Sequence, residues 1–350
     1  MTTMFFNPSY EIAQLQPTVS SFALDKYEVT VGRFRAFVNA LGTWTPTAGV
    51  GGNPRVPGSG WQAGWPLAGD GATLSAALSA CPGTWTAAPG PNENKPITCV
   101  RWYELFAFCA WDGGRLPTMT ERVYASLGGA DERGFPWSIP PDSGIVSAAY
   151  AVYSADGGNP PTGPDAVGSK PLGAGKWGQL DLGGNAGEWS LDAFPPESYP
   201  SPPRACVDCA VLGRDGGARV YQGGSYSSTE DDLRGVSIEG ADPLLRSPML
   251  GGRCAHSITG AELGGGAVGP PDCTPAAPEG GDTCSGCFAG GLSGAFTCQV
   301  RMDENVPVLS ETLQIGPLSG SQDLTGSGFS LVPGGQGDFA AQTYGAQDLD

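Results

Sequence analysis

Thiols set the first limits on what this chain can do. The ten cysteines are Cys81, Cys99, Cys109, Cys206, Cys209, Cys254, Cys273, Cys284, Cys287 and Cys298. An even, high count in a loop-rich, histidine-poor chain reads as a disulfide framework, and so as an oxidising, extracytoplasmic setting, secreted or at the cell surface. Cys206-Val-Asp-Cys209 is a CxxC pair, but no thioredoxin-like βαβ pattern surrounds it, which favours a structural role over a redox one. The tail cysteines run Cys273-x10-Cys284-x2-Cys287-x10-Cys298. Four thiolates could hold zinc; a zinc ribbon usually has two CxxC knuckles and this stretch has one, so two disulfides are preferred. His256 is the single histidine. One imidazole cannot build a two-His-one-carboxylate iron site or a multi-His zinc site. A serine triad would have to use it, and no nucleophile motif accompanies it. It reads as a surface residue just past a strand. The last chemical signal is Ser225-Tyr226-Ser227-Ser228-Thr229-Glu230-Asp231-Asp232. That run puts a phenol, hydroxyls and carboxylates on one loop, suited to glycan, peptide, protein or cation contacts. The plain alternative is a solvated loop.

The elements that must position these groups are short. The 56 glycines and 32 prolines among 350 residues are interleaved with aromatics, which argues for a loop-rich folded chain without long helices. Net charge is −17, so nucleic acid and anionic membrane surfaces would be repelled and cations favoured. No apolar run is long enough to span a membrane. The first residues have neither a basic start nor an apolar run, so no export signal is visible; the numbering is expected to begin at a mature or trimmed end. Residues 257–350 carry eleven carboxylates and only Arg301, and Gly264-Gly265-Gly266 and Gly269-Pro270-Pro271 look like a linker. The expected organisation is therefore one domain over 1–256, followed by a linker and a small, Cys-containing, Gly-rich acidic extension over 257–350. Val306–Leu309 and Thr312–Ile315 are strand candidates there, and composition beyond Gly334 favours a flexible end.

Within the first part, Phe22–Val29 alternates as a half-buried strand does. Thr30 suits an N-cap before a helix with Phe34, Phe37, Val38 and Leu41 on one face. Residues 42–96 show little period and read as long ordered loops. A second helix is predicted from about Trp102 to Trp111, ended by Gly113-Gly114. Thr118-Met-Thr-Glu121 is a capping-box pattern opening a third, with Tyr124, Ala125 and Leu127 inward. Strands are expected within 219–226 and 249–254.

Read in order, several segments resemble the formylglycine-generating enzyme (sulfatase-modifying factor) family. They are Leu24-Asp-Lys-Tyr-Glu-Val-Thr30, Pro96-Ile-Thr-Cys-Val-Arg-Trp102, Phe108-Cys-Ala-Trp-Asp-Gly-Gly-Arg-Leu-Pro-Thr118 and Phe135-Pro-Trp137, then Gly184-Asn-Ala-Gly-Glu-Trp189, Gly223-Gly-Ser-Tyr226 and Gly251-Gly-Arg-Cys254. The resemblance covers about residues 20–256. It implies an irregular α+β fold related to C-type lectins, with low regular secondary structure. It also implies chemistry: the family binds Cu(I) with two cysteines after the Gly-Gly-Ser-aromatic motif and converts a sulfatase cysteine to formylglycine. Cu(I) is a soft ion that prefers thiolates. The corresponding positions here are Ser228 and Leu233, and residues 210–253 contain no cysteine. The expectation is a chain without copper or catalysis, acting as a ligand-binding module; the alternative is an oxidoreductase that keeps the family activity by another route.

By the same resemblance, Asp181, the carbonyls of Gly184 and Ala186, and Glu188 match a family calcium site, an ion that takes six to eight hard oxygens. Gly187 stands where a Trp is usual, and an ordinary Gly-Asn turn is the alternative. A second calcium site is not implied, because Ala148-Ala149-Tyr150 lacks the expected Asn. Cys109 and Cys254 match a family disulfide. Elimination then leaves Cys81 with Cys99 and Cys206 with Cys209.

Overall fold

A computed structural model describes residues 16–155, 160–194, 205–213 and 216–258, together with the strands 297–303, 306–312, 329–332 and 335–336. The calls on Cys273, Cys284, Cys287 and the linker glycines fall outside the described residues, as do the side chains of Cys206 and Cys298. In chain order the elements are β1 (Gln16–Val19), β2 (Phe22–Asp25), α1 (Val31–Ala40), α2 (Gly71–Ser79), α3 (Trp102–Trp111), α4 (Met119–Leu127), β3 (Gly187–Ala193), β4 (Ala205–Val207) and β5 (Arg219–Gln222). They continue with β6 (Ile238–Ala241), β7 (Leu250–Gly251), β8 (Ala255–Ser257), β9 (Thr297–Asp303), β10 (Val306–Thr312), β11 (Phe329–Val332) and β12 (Gly335–Gln336). This is a mixed α+β fold of short elements joined by long loops.

Helices α1, α2 and α4 begin where a side-chain oxygen can satisfy a free N–H of the first turn. The Thr30 hydroxyl accepts from the Arg33 N–H at the start of α1. In α4 the box is reciprocal: Glu121 N–H donates to Thr118 Oγ1 and Thr118 N–H to a Glu121 carboxylate oxygen. Gly128, at φ 67°, then ends the helix. Residues 42–96 are not loops throughout. Asp70 caps the Thr73 N–H at 2.7 Å and opens α2, which buries only Leu74 and Leu78. An Ala-rich helix with so thin an apolar stripe shows little period, because alanine fits either face.

The first compact unit comprises 1–257 with 326–350. Its central sheet has the order β6-β5-β3-β7, with β3 antiparallel to β5 and parallel to β7. Every residue of β3 is buried. Against it lies an aromatic core that includes Phe34, Phe37, Trp61, Trp102, Phe106 and Phe108. Two indoles are fastened as well as buried: Trp102 Nε1 donates to Ser190 O at 2.7 Å and Trp189 Nε1 to Val100 O at 3.1 Å. Disulfides join Cys109 of α3 to Cys254, just before β8, and Cys81 to Cys99. Cys209 is also in a disulfide. A second sheet, β11-β2-β8, and a third, β12-β1-β4, complete this unit. Gly335–Gln336 thus pairs with β1, where composition alone suggests a loose end. The second unit, 258–325, contains the antiparallel hairpin β9–β10.

His256 lies within β8, not past a strand, and is partly buried rather than on the surface. Burial lowers its pKa, with Asp25 and Asp112 opposing and Arg33 and Arg115 assisting that shift. Extended backbone there is set by pairing with Ala23 of β2, a long-range partner invisible to local pattern.

Candidate functional site

Two of the segments singled out above meet in space. The loop leading into β3 holds Asp181, Gly184 and Ala186, with Glu188 at the start of the strand itself; the loop after β5 holds Ser225 to Leu233. Gly184 N–H donates to Gly223 O at 2.7 Å and Tyr226 N–H to Asn185 O at 2.9 Å. Gly184 has φ 86°, and a Cβ there would meet Val152 O at 2.5 Å, so only glycine fits. Asp181 and Asn185 share the left-handed region, at φ 58° and 64°. Asn185 is fastened on every side: Nδ2 donates to Glu28 Oε2, Oδ1 accepts from Asp165 N–H, and its own N–H reaches Val152 O. Glu28 Oε1 accepts the Ala186 N–H at 2.8 Å.

The electrostatics of the first loop are those of buried charge. Burial, then Asp181 and Glu188, push the Glu28 carboxyl well above the usual range. Burial likewise pushes Asp181 up to about 6, although the Gly168 N–H donates to its Oδ2 at 2.6 Å. Glu188 behaves oppositely: burial raises it, but Arg122 and Arg253 together hold it below its ordinary value. Arg122 Nε donates to Glu188 Oε2 at 2.7 Å, and Arg253 takes Oε2 through Nε at 2.8 Å and Oε1 through Nη2 at 2.7 Å. Neither arginine stands out in the sequence as a site residue. The available signal was Arg122 beside the inward-facing positions of α4, a helix whose nine residues are all buried. Charge on a helix with no exposed face needs a partner.

Calcium takes six to eight oxygens; of the two carboxylates brought together here, Glu188 already has both oxygens engaged by guanidinium groups. Among the described residues, no group of three or more His, Cys, Asp or Glu side chains is placed to hold a metal ion.

The second loop is held mostly by itself. Ser225 N–H donates to Ser228 Oγ at 3.0 Å, and Thr229 N–H to Asp232 Oδ2 at 3.0 Å, capping a single 3-10 turn over Glu230–Leu233. Ser154 N–H reaches in to Ser228 O at 2.8 Å. Thr229, Glu230 and Asp231 are exposed, while Tyr226, Ser227, Ser228 and Asp232 are half-buried. Burial raises the Tyr226 phenol. Leu233 points the other way. It is fully buried in a cluster with Phe135, Trp137, Ala151 and Tyr153. The cysteines of known bonding among the described residues, Cys81, Cys99, Cys109, Cys209 and Cys254, are all in disulfides.

A short-element α+β domain with a Gly-Gly-Ser-aromatic loop packed on a Gly-Asn turn defines the class. The family description that matches is "Sulfatase-modifying factor enzyme 1-like domain", over residues 3–258. The chain belongs to that family. It is 32% identical over 262 residues to the formylglycine-generating enzyme of Streptomyces coelicolor, covering 67% of this chain and 78% of that one. It is 28% identical over 192 residues to the mouse protein named inactive C-alpha-formylglycine-generating enzyme 2, covering 49% and 54%. Among solved structures, PvdO from Pseudomonas aeruginosa is similar, with a TM-score of 0.43 and 22% identity over 68% of this chain and 80% of that one.

Proposed function

We propose that this chain is a non-catalytic member of its family that binds a glycan, peptide or protein ligand through the exposed part of the 225–232 loop. The observation that carries the reading is Leu233. A family copper site would need a thiolate there, and the position instead supplies hydrocarbon to an aromatic cluster. At the other position, Ser228 Oγ is engaged in holding the turn through the Ser225 N–H. The name of the mouse relative supports the idea that members of this family can lack the activity. Tyr226, Ser227, Thr229, Glu230 and Asp231 are the side chains left to face a ligand, on a loop whose geometry is fixed from within. The disulfides support an extracytoplasmic setting. Among the described residues, no helix is long and apolar enough to cross a membrane.

Two assays test this. Cu(I) and a Cys-containing sulfatase peptide are incubated with the chain and the peptide is weighed by mass spectrometry; the expected result is no formylglycine. Turnover would overturn the reading in favour of an oxidoreductase. A glycan and peptide array then identifies the ligand class, and its signal is expected to disappear with Glu230→Ala plus Asp231→Ala. Signal that survives this change places the ligand elsewhere.

A further inference from the structure

The loop at 181–188 is gathered by two guanidinium groups. Arg122, from the middle of α4, gives Nε–H to Glu188 Oε2, Nη2–H to Leu182 O at 2.7 Å, and Nη1–H to Ser126 Oγ. Arg253 gives two donors to Glu188, one to Leu180 O at 2.8 Å, and Nη1–H to Asp25 O at 3.0 Å and Lys26 O at 3.2 Å. Arg122, Glu188 and Arg253 are each no more than 1% exposed. Between them the two arginines collect both oxygens of one carboxylate and the carbonyls of Leu180, Leu182, Asp25 and Lys26. Those oxygens come from the end of β2, from the residues after it and from the loop itself.

Gathering carboxylate and carbonyl oxygens from separate segments is what a divalent cation does in a loop of this kind. Two guanidiniums bring the same total charge, and arginine stays protonated at any physiological pH. A further divalent ion at Glu188 would lie within a few ångströms of both, in a dry interior where like charges repel strongly. We infer that Arg122 and Arg253 do in this chain the work of a structural divalent cation, so that the 181–188 loop folds and stays ordered without a metal.

The full chain tests this directly. Its melting temperature is measured in millimolar calcium and in excess chelator, and terbium(III) is titrated while its emission is followed under excitation of tryptophan, with Trp189 adjacent to Glu188. The inference expects the same melting temperature in both buffers and no saturable terbium emission. A calcium-dependent rise of roughly 5 °C or more, or saturable emission abolished by Glu188→Gln, overturns it. The arginine side is read from Arg122→Gln, expected to lower the melting temperature by roughly 6–15 °C. Arg122→Gln combined with Glu188→Gln is expected to lose less than the sum of the two single changes, because each strands the other's charge. Strict additivity, or an Arg122→Gln variant as stable as the parent, sinks the idea. If Arg122→Gln does not fold, Arg122→Lys keeps the charge without the fork and carries the same comparison at smaller amplitude.

Discussion

The two neighbouring loops are built on opposite plans. The 181–188 loop is fastened by side chains from far away in sequence: Glu28 beside β2, Arg122 in α4 and Arg253 before β8. The 225–233 loop is fastened chiefly by its own hydroxyls and by the Thr229–Asp232 cap. A loop held from a distance ties several elements together and tolerates little change. One that satisfies itself can change its outward side chains without disturbing the rest, which is where binding function tends to reside. The family frame and the novelty of this chain therefore sit side by side, joined by Tyr226 N–H to Asn185 O.

The contrast can be broken from the scaffold side. Replacing Cys109 and Cys254 by serine releases a bridge across a sequence separation of 145 and is expected to cost about 4–5 kcal/mol on chain-entropy grounds, read by urea or thermal unfolding. Next comes Glu121→Gln. Its carboxylate caps α4 and takes both Nη groups of Arg115 in a buried pair, so about 3–5 kcal/mol should be lost. Leu233→Ala probes the underside of the self-held loop and should cost about 2–5 kcal/mol while leaving the exposed residues above it in place, checked by ligand-array signal.

A smaller effect tests His256. Its folded pKa is depressed, so the unfolded chain binds the proton more readily. Its contribution is complete above the ordinary value near 6.5 and is lost progressively as pH falls below it. Glutamine at 256 should flatten the decline in stability between pH 7 and 5 relative to the parent. The smallest change is expected of Glu230→Ala with Asp231→Ala, within about 0.5 kcal/mol of the parent, since Glu230 is exposed and the Asp231–Arg234 pair lies at the surface, where such pairs contribute little. A larger loss would mean that the loop is not self-sufficient.

How far the sequence told this story depends on the range of each interaction. Thr30 and Thr118 announced their helices because a cap and the N–H that donates to it lie within three residues. That Ser228 and Leu233 carry no thiol is read straight from the residue types after the Gly-Gly-Ser-Tyr motif. The grip of Arg122 and Arg253 on Glu188 was not, since partners more than sixty residues apart leave no local pattern. The carboxylate was visible and its counter-charge was not; the calcium expectation came from the family resemblance alone. Helix α2 escaped because Leu74 and Leu78 alone face the core.

One consequence follows from the β11-β2-β8 sheet. β8 runs along one edge of β2, with Ser257 opposite Phe22, and β11 runs along the other, with Phe329 opposite Asp25. The chain therefore leaves and returns on the two flanks of a single strand, at points ~14 Å apart once the ~10 Å across the sheet is combined with the three-residue offset along it. In engineering terms, a bridge of ~6–8 residues is long enough to join Ser257 to Phe329 directly, and a chain shortened in that way tests whether both edges of β2 keep their partners.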